Sequence, residues 1–165
     1  AGPIGLLAAL LGVQRGLDVH VLDRVQDGVK PELVRGLGAT YLAADVREAG
    51  EYDVVVEATG APPVVLGAVR AAARGGIVCL TGVAGGGDEV GVDVAALNDA
   101  MVLGNQVVFG SVNANRAHYE AAVDALARAD RGWLEHLVSR RVPLEKFGEA
   151  LERGEDDVKV VVELG

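Results

Sequence analysis

One cysteine, three lysines and six aromatic residues are all that this chain of 165 residues holds of those types. With Cys79 alone, no intrachain disulfide can form and no cluster of thiolates can gather a metal, so a reducing, cytoplasmic setting is expected. Positive charge is also scarce. A formal net charge of -9, with arginines scattered rather than clustered, argues against a nucleic-acid partner, whose phosphates need a concentrated basic surface. Long apolar runs are missing too: the stretch Ile4 to Val13 covers ten residues, too few to cross a bilayer, and no basic segment precedes it. Neither a signal peptide nor a membrane anchor is expected, and no membrane partner.

Half of the residues are apolar and 23 are glycine, a mixture suited to short Val-rich strands separated by tight turns. Leu6, Leu7, Leu10, Leu11 and Gln14 keep helical spacing up to a stop at Gly16, and "LDVHVLD" reads as a strand ending in an acid. "KPELVRGLGA" predicts a short helix, "YDVVVEATGA" a strand covered on both faces, "PPVVLGAVRAAARGG" a helix and "GIVCLTGV" another buried strand. Strand and helix alternate at about 30 residues, which predicts right-handed crossovers and an α/β fold: a doubly wound parallel sheet with helices on both sides. From Gly82 to Asp93 the chain is a glycine and acid-rich loop. "NQVVFGSVNAN" is a further strand, and Asn115 is placed to cap a helix carrying Tyr119, Ala122, Val123, Leu126 and Ala127 on one stripe. Two shorter helices in "GWLEHLVSRR" and "PLEKFGEALERG" precede a last strand, "VKVVVELG".

The opening "AGPIGLLAALLGVQRG" matches the second and third glycines of a GxGxxG dinucleotide turn at Gly2 and Gly5. On that reading the first glycine and the first strand of the fold lie upstream of residue 1. A G-P-I-G string in a glycine-rich chain also reads as a plain turn; the acid shifts the balance. Asp23 ends a strand 21 residues after Gly2, where this fold holds the adenosine ribose through a carboxylate. A carboxylate there repels the 2′-phosphate of NADP, which favours NAD as cofactor and leaves NADP as the alternative. Arg24 blurs that preference, since it could stack on adenine, reach a 2′-phosphate or sit in solvent. Thr59 and Gly60, then Thr81, Gly82 and Val83, then Ser111, Val112 and Asn113 fall at later strand ends, where open α/β sheets bind ligands and where small residues also simply terminate strands.

With "VVEATGAP", "LTGV", "MVLGNQVVFGSVNANRAHYEAA" and "WLEHLVSRRVPLEKFGEAL", the opening string resembles the medium-chain zinc-dependent dehydrogenases, and among them the archaeal glucose dehydrogenases. The resemblance implies a Rossmann-like dinucleotide-binding domain over residues 1–143 and a tail, 144–165, returning to a catalytic domain outside this chain. It implies Gly2, Pro3 and Ile4 at the pyrophosphate, Asp23 and Arg24 on the adenosine side, Thr59 and Gly60 near the ribose, and Thr81 to Val83 with Val112 and Asn113 near the nicotinamide. Zinc and every catalytic residue would belong to the missing half. The whole protein would oxidise a sugar at its anomeric hydroxyl by hydride transfer, and the edge strand Gln106 to Val112 would pair with a second subunit in a homo-oligomer, with burial by a loop as the competing reading. Asp23 departs from the basic or neutral residue expected of an NADP-dependent member. A nucleotide-sensing module without chemistry shares the same turn and acid, and a methyltransferase would keep a glycine loop.

His20, His118 and His136 occupy separate elements with no metal-binding rhythm, so no metal site is expected. Tyr41, Tyr52 and Tyr119 lack the lysine four residues later that short-chain dehydrogenases use, and Ser111 has no histidine neighbour to make it a nucleophile. Cys79 reads as a small core residue, and Glu57 as a strand-end acid facing solvent or capping a loop in preference to a base near the cofactor. Trp133 and Phe147 are expected to anchor the terminal helices to the missing half.

Overall fold

The computed structural model describes every residue except 84–88, 153 and 155. Along the chain run α1 (Pro3–Gln14), β1 (His20–Asp23), α2 (Val29–Gly36), β2 (Thr40–Ala43), β3 (Tyr52–Glu57), α3 (Pro62–Arg70) and β4 (Ala72–Leu80). Then follow α4 (Val94–Gly104), β5 (Val107–Gly110), α5 (Arg116–Arg128), α6 (Arg131–Leu137), β6 (Val138–Pro143), α7 (Phe147–Leu151) and β7 (Lys159–Glu163). Every strand pairing is parallel: β1 with β2, β3 with β4 and β4 with β5, β6 with β7. This is the α/β, Rossmann-like class that the alternating pattern predicts. The triple glycine at 85–87 lies outside the described residues.

The chain divides into two units, one of residues 1–43 with 114–165 and one of residues 44–113. In the first, Leu6 and Leu10 of α1 pack with Leu33 and Val34 of α2, Ala39, Trp133 and Leu137 of α6, and Val158. Leu6 and Val34 are wholly buried, and each such side chain contributes roughly 1.5–3 kcal/mol. Gln14 donates from Nε2 to the Ala125 carbonyl at 2.9 Å, tying α1 to α5. Trp133 sits in this core and donates its indole N–H to the Leu33 carbonyl at 2.8 Å, so it anchors α6 to α2 of its own chain rather than to a missing half. Phe147 is exposed. At the tail, Arg140 pairs with Asp157 at 2.6 Å and donates to the carbonyls of Glu149 and Glu152, clasping the end of α7 against the β6–β7 pair.

Asn115 caps α5 by accepting from the His118 amide at 3.0 Å, while His118 Nδ1 accepts from the Asn115 amide, a reciprocal box. The stripe expected on α5 forms, but it faces outward. Tyr119 and Val123 are each 66% exposed, and Ala125, between the stripe positions, is the buried residue of the helix. Helical spacing gathers apolar side chains on one side without saying what lies against them.

In the second unit β4 lies between β3 and β5, and Val78 is fully buried against Ala68 and Val69 of α3, with Ala72. The sequence missed α4, capped by Asp93 through the Ala96 amide at 3.0 Å, and in the first unit it missed β2 and β6, the latter beginning at Val138 inside the stretch "GWLEHLVSRR" expected to be helical. The helix after Pro62 is shorter than expected. It stops at Arg70, because Ala72 is already extended beside Tyr52 and the Tyr52 amide donates to the Ala71 carbonyl at 2.8 Å. Alanine is the best helix former, but intrinsic propensity is a weak preference that a strand partner overrides.

Candidate functional site

Gly2 precedes α1 with extended backbone, Pro3 occupies its first position, and the Leu6 amide makes the first intrahelical bond to the Gly2 carbonyl at 2.9 Å. Proline brings no N–H to that turn, so the orphan donors within it are the amides of Ile4 and Gly5. No side chain caps them and no acid stands in the first turn. With the positive end of the helix dipole behind them, these amides suit an anion such as a phosphate. A Cβ placed at Gly2 or Gly5 would meet nothing within 4 Å, whereas one at Gly12 would come 2.7 Å from a methyl of Val19. The close passage of α1 over its neighbouring loop therefore depends on Gly12, which the motif did not single out.

Asp23, closing β1, lies beside this turn: the Ala1 nitrogen donates to its Oδ2 at 2.5 Å. Its Oδ1 accepts from the amides of Arg24 and Val25 at 2.6 and 3.3 Å, which fixes the carboxylate's orientation. Asp23 is an anion at neutral pH. Tyr41 on β2 donates its hydroxyl to the Val25 carbonyl at 2.5 Å and lies under the Arg35 guanidinium, 5.9 Å from ring centre. Burial raises the Tyr41 phenol above its ordinary value, the nearby Asp23 charge adds to the rise, and Arg35 opposes it. Sequence patterning gave no reason to choose Tyr41; only the β1–β2 register sets it next to Asp23's strand.

In the other unit, Thr59 and Gly60 follow β3, and Thr81, Gly82 and Val83 follow β4, at the carboxyl ends of adjacent parallel strands. A Cβ at Gly82 would fall 2.1 Å from the Gly60 nitrogen, so the two loops touch and only glycine fits. Glu57 holds them together. It is 3% exposed, not solvent-facing, and its Oε1 accepts from the Thr59 amide and hydroxyl, each at 2.6 Å, and from the Gly60 amide at 3.0 Å. Its main-chain carbonyl accepts from the amides of Thr81 and Gly82 and from the Thr81 hydroxyl. The Ser111 amide donates to the Leu80 carbonyl at 2.9 Å, which brings the end of β5 alongside, and Ser111, Val112 and Asn113 are exposed there.

The remaining polar candidates are accounted for locally. Cys79 is half-buried on β4 between Val56 and Phe109, and His136 Nδ1 lies 2.6 Å from the Gly132 carbonyl. Among the described residues no group of three or more His, Cys, Asp or Glu is placed to hold a metal ion, and no helix is long and apolar enough to cross a membrane.

The sequence model of the family described as "Glucose dehydrogenase C-terminus" matches residues 1–164. The glucose 1-dehydrogenase of Methanocella arvoryzae is 38% identical over 178 residues, covering all of this chain and 49% of that protein. That of Thermoproteus tenax is 39% identical over 169 residues, covering 99% of this chain and 48% of that one. Among solved structures, Haloferax mediterranei glucose dehydrogenase in complex with NADP, Zn and gluconolactone matches with a TM-score of 0.86 at 30% identity, over 99% of this chain and 49% of that chain. The chain thus spans about half the length of the relatives it matches.

Proposed function

From the premise that the chain belongs to the glucose dehydrogenase C-terminus family, we propose that it is the nicotinamide-dinucleotide-binding part of a sugar dehydrogenase. The observation that carries this reading is the conjunction at the start of the chain: an uncapped helix end with free amides, and an ionised aspartate within one hydrogen bond of the residue before it. Such a pair suits a pyrophosphate beside a ribose.

Gly2, Pro3, Ile4 and Gly5 would meet the pyrophosphate through backbone, and Asp23 would accept from the adenosine ribose hydroxyls with Arg24 beside it. The oriented, anionic Asp23 supports NAD as the preferred cofactor, with NADP, present in the Haloferax relative, as the alternative. Thr59, Gly60, Thr81, Gly82, Val83, Ser111, Val112 and Asn113 would serve the ribose and nicotinamide end. The bound nicotinamide would supply the hydride acceptor for oxidation of a sugar at its anomeric carbon. Residues 144–165 would return to a catalytic domain that holds the zinc and the sugar, so no catalytic role falls to the residues named here. The outer edge of β5, beyond its pairing with β4, would join a second copy in a homo-oligomer, in a cytoplasmic setting.

Isothermal titration of NAD+ and NADP+ into the full-length protein tests this. Binding of at least one at micromolar concentration is expected, with glucose oxidation following; absence of binding by both rejects it.

A further inference from the structure

Glu57 is the one buried carboxylate among the described residues, and the function proposed above gives it no role. A buried anion survives in a fold only where donors compensate its lost hydration. Here the carboxylate's donors come from the loop after β3, while donors of the loop after β4 go to the main-chain carbonyl of the same residue. The side chain takes the Thr59 amide and hydroxyl and the Gly60 amide, the last shared between Oε1 at 3.0 Å and Oε2 at 3.2 Å. The main-chain carbonyl takes the Thr81 amide and hydroxyl, each at 2.8 Å, and the Gly82 amide at 3.2 Å. The Ala61 amide is in turn taken by the Thr59 hydroxyl oxygen at 3.1 Å.

The consequence is chemical as well as mechanical. Each residue has a single N–H and each threonine a single O–H, so residues 59–61 and 81–82 have no hydrogen-bond donor left for a ligand. What these loops can still offer is carbonyl oxygen. We propose that Glu57 is a positioning residue: by engaging the donors of both loops it converts this strand end into a surface of acceptors, matched to ribose hydroxyls and a carboxamide N–H and closed to phosphate. The proposal rests on the dinucleotide reading and sharpens it, because it assigns the donor-bearing end of the cofactor to β3 and β4 and the phosphate-bearing end elsewhere.

Glu57→Gln keeps the shape of the side chain and puts an NH2 group where an acceptor oxygen faces the Gly60 amide. In the full-length protein it should raise the dissociation constant for NAD+ or NADP+, whichever the wild type prefers, about tenfold, while that for ADP, which lacks the nicotinamide ribose, changes less than about twofold. Glu57→Asp, which keeps the carboxylate, should lie closer to wild type than Glu57→Gln. Unchanged dinucleotide affinity in Glu57→Gln, equal weakening of ADP and dinucleotide, or the reverse order of the two variants overturns the assignment. If Glu57→Gln fails to fold, Thr59→Val decides in its place: about threefold weaker dinucleotide binding with ADP unaffected is expected, and wild-type affinity overturns it. A wild type that binds neither dinucleotide removes the cofactor reading and this one together, whereas normal binding by every variant removes this one alone.

Discussion

At the start of α1 the amides of Ile4 and Gly5 point out of the helix with no carbonyl or side chain to receive them. At the ends of β3 and β4 the amides of Thr59, Gly60, Thr81 and Gly82 are all received, by one glutamate. The same backbone group is left open in one region and closed in the other, and the difference is set by what stands next to it. Proline, isoleucine and glycine in the first turn of α1 bring no side-chain acceptor, whereas an acid at the last position of β3 brings two carboxylate oxygens beside its carbonyl. The first region is therefore suited to an anion and the second to a ligand that donates.

The strongest way to break the comparison is Gly82→Ala. Its Cβ would strike the Thr59–Gly60 backbone, which has nowhere to move without releasing Glu57. Overpacking of this kind costs ~1–3 kcal/mol of stability, and dinucleotide affinity should fall ~100-fold, or about 2.7 kcal/mol. Denaturant unfolding with parallel titration checks both, and retained affinity would show that the contact of the two loops is irrelevant to binding.

Ile4→Glu sharpens the other side. Ile4 is 58% exposed, so the change is sterically free, and a carboxylate in the first turn favours the helix by ~0.3–1 kcal/mol. It would also stand where a phosphate is expected, so ADP should bind about tenfold more weakly while the melting temperature holds or rises. Loss of affinity without loss of stability is the signature; unchanged ADP binding would remove the anion from α1.

Asp23→Asn keeps the hydrogen bonds to the Arg24 and Val25 amides and deletes the charge. The ratio of kcat/KM for NADP+ over NAD+ should move toward NADP+ by about fivefold, and no movement would detach cofactor choice from this residue.

The smallest effect is expected away from both regions, at the Arg140–Asp157 clasp. The hydrogen bond from Arg140 holds the Asp157 carboxyl below its ordinary value, with the Gly154 amide adding to that and burial opposing it. Because the folded state prefers the ionised form, this stabilisation is present above the unfolded value near ~4 and is lost as pH falls through the lower folded value. Arg140→Met should lower the melting temperature at neutral pH, narrow its gap from wild type below about pH 4, and leave nucleotide affinity alone. A gap that persists unchanged in acid would mean the pair is not what the arginine contributes.

Much of the fold was legible because it depends on neighbours in sequence. The spacing of Leu6 and Leu10, the cap at Asn115 and the acid closing "VHVLD" are each decided within a few residues. The strand Thr40–Ala43 was hidden because it lacks the flanking alternating run that extends "LDVHVLD" beyond the four residues of β1, and α4 because its apolar positions make no clean stripe. Of the candidate site, the glycine turn and Asp23 were visible through spacing. Glu57 reads in the sequence as a strand-end acid facing solvent or capping a loop; its bonds to the Thr59 and Gly60 amides agree with the second role and its burial excludes the first.

What the sequence by itself determined about this protein is local: alternating strands and helices, an open first turn on α1, and an acid at the end of β1, since backbone preference and capping chemistry act over a handful of residues. Tertiary structure decided the rest. It turned the α5 stripe outward, put Trp133 against Leu33, and brought Thr59 and Thr81, 22 positions apart in sequence, onto one residue, the first at the Glu57 carboxylate and the second at its main-chain carbonyl. Those outcomes depend on which strands pair and in what register, and pairing is a property of distant segments that no local pattern encodes.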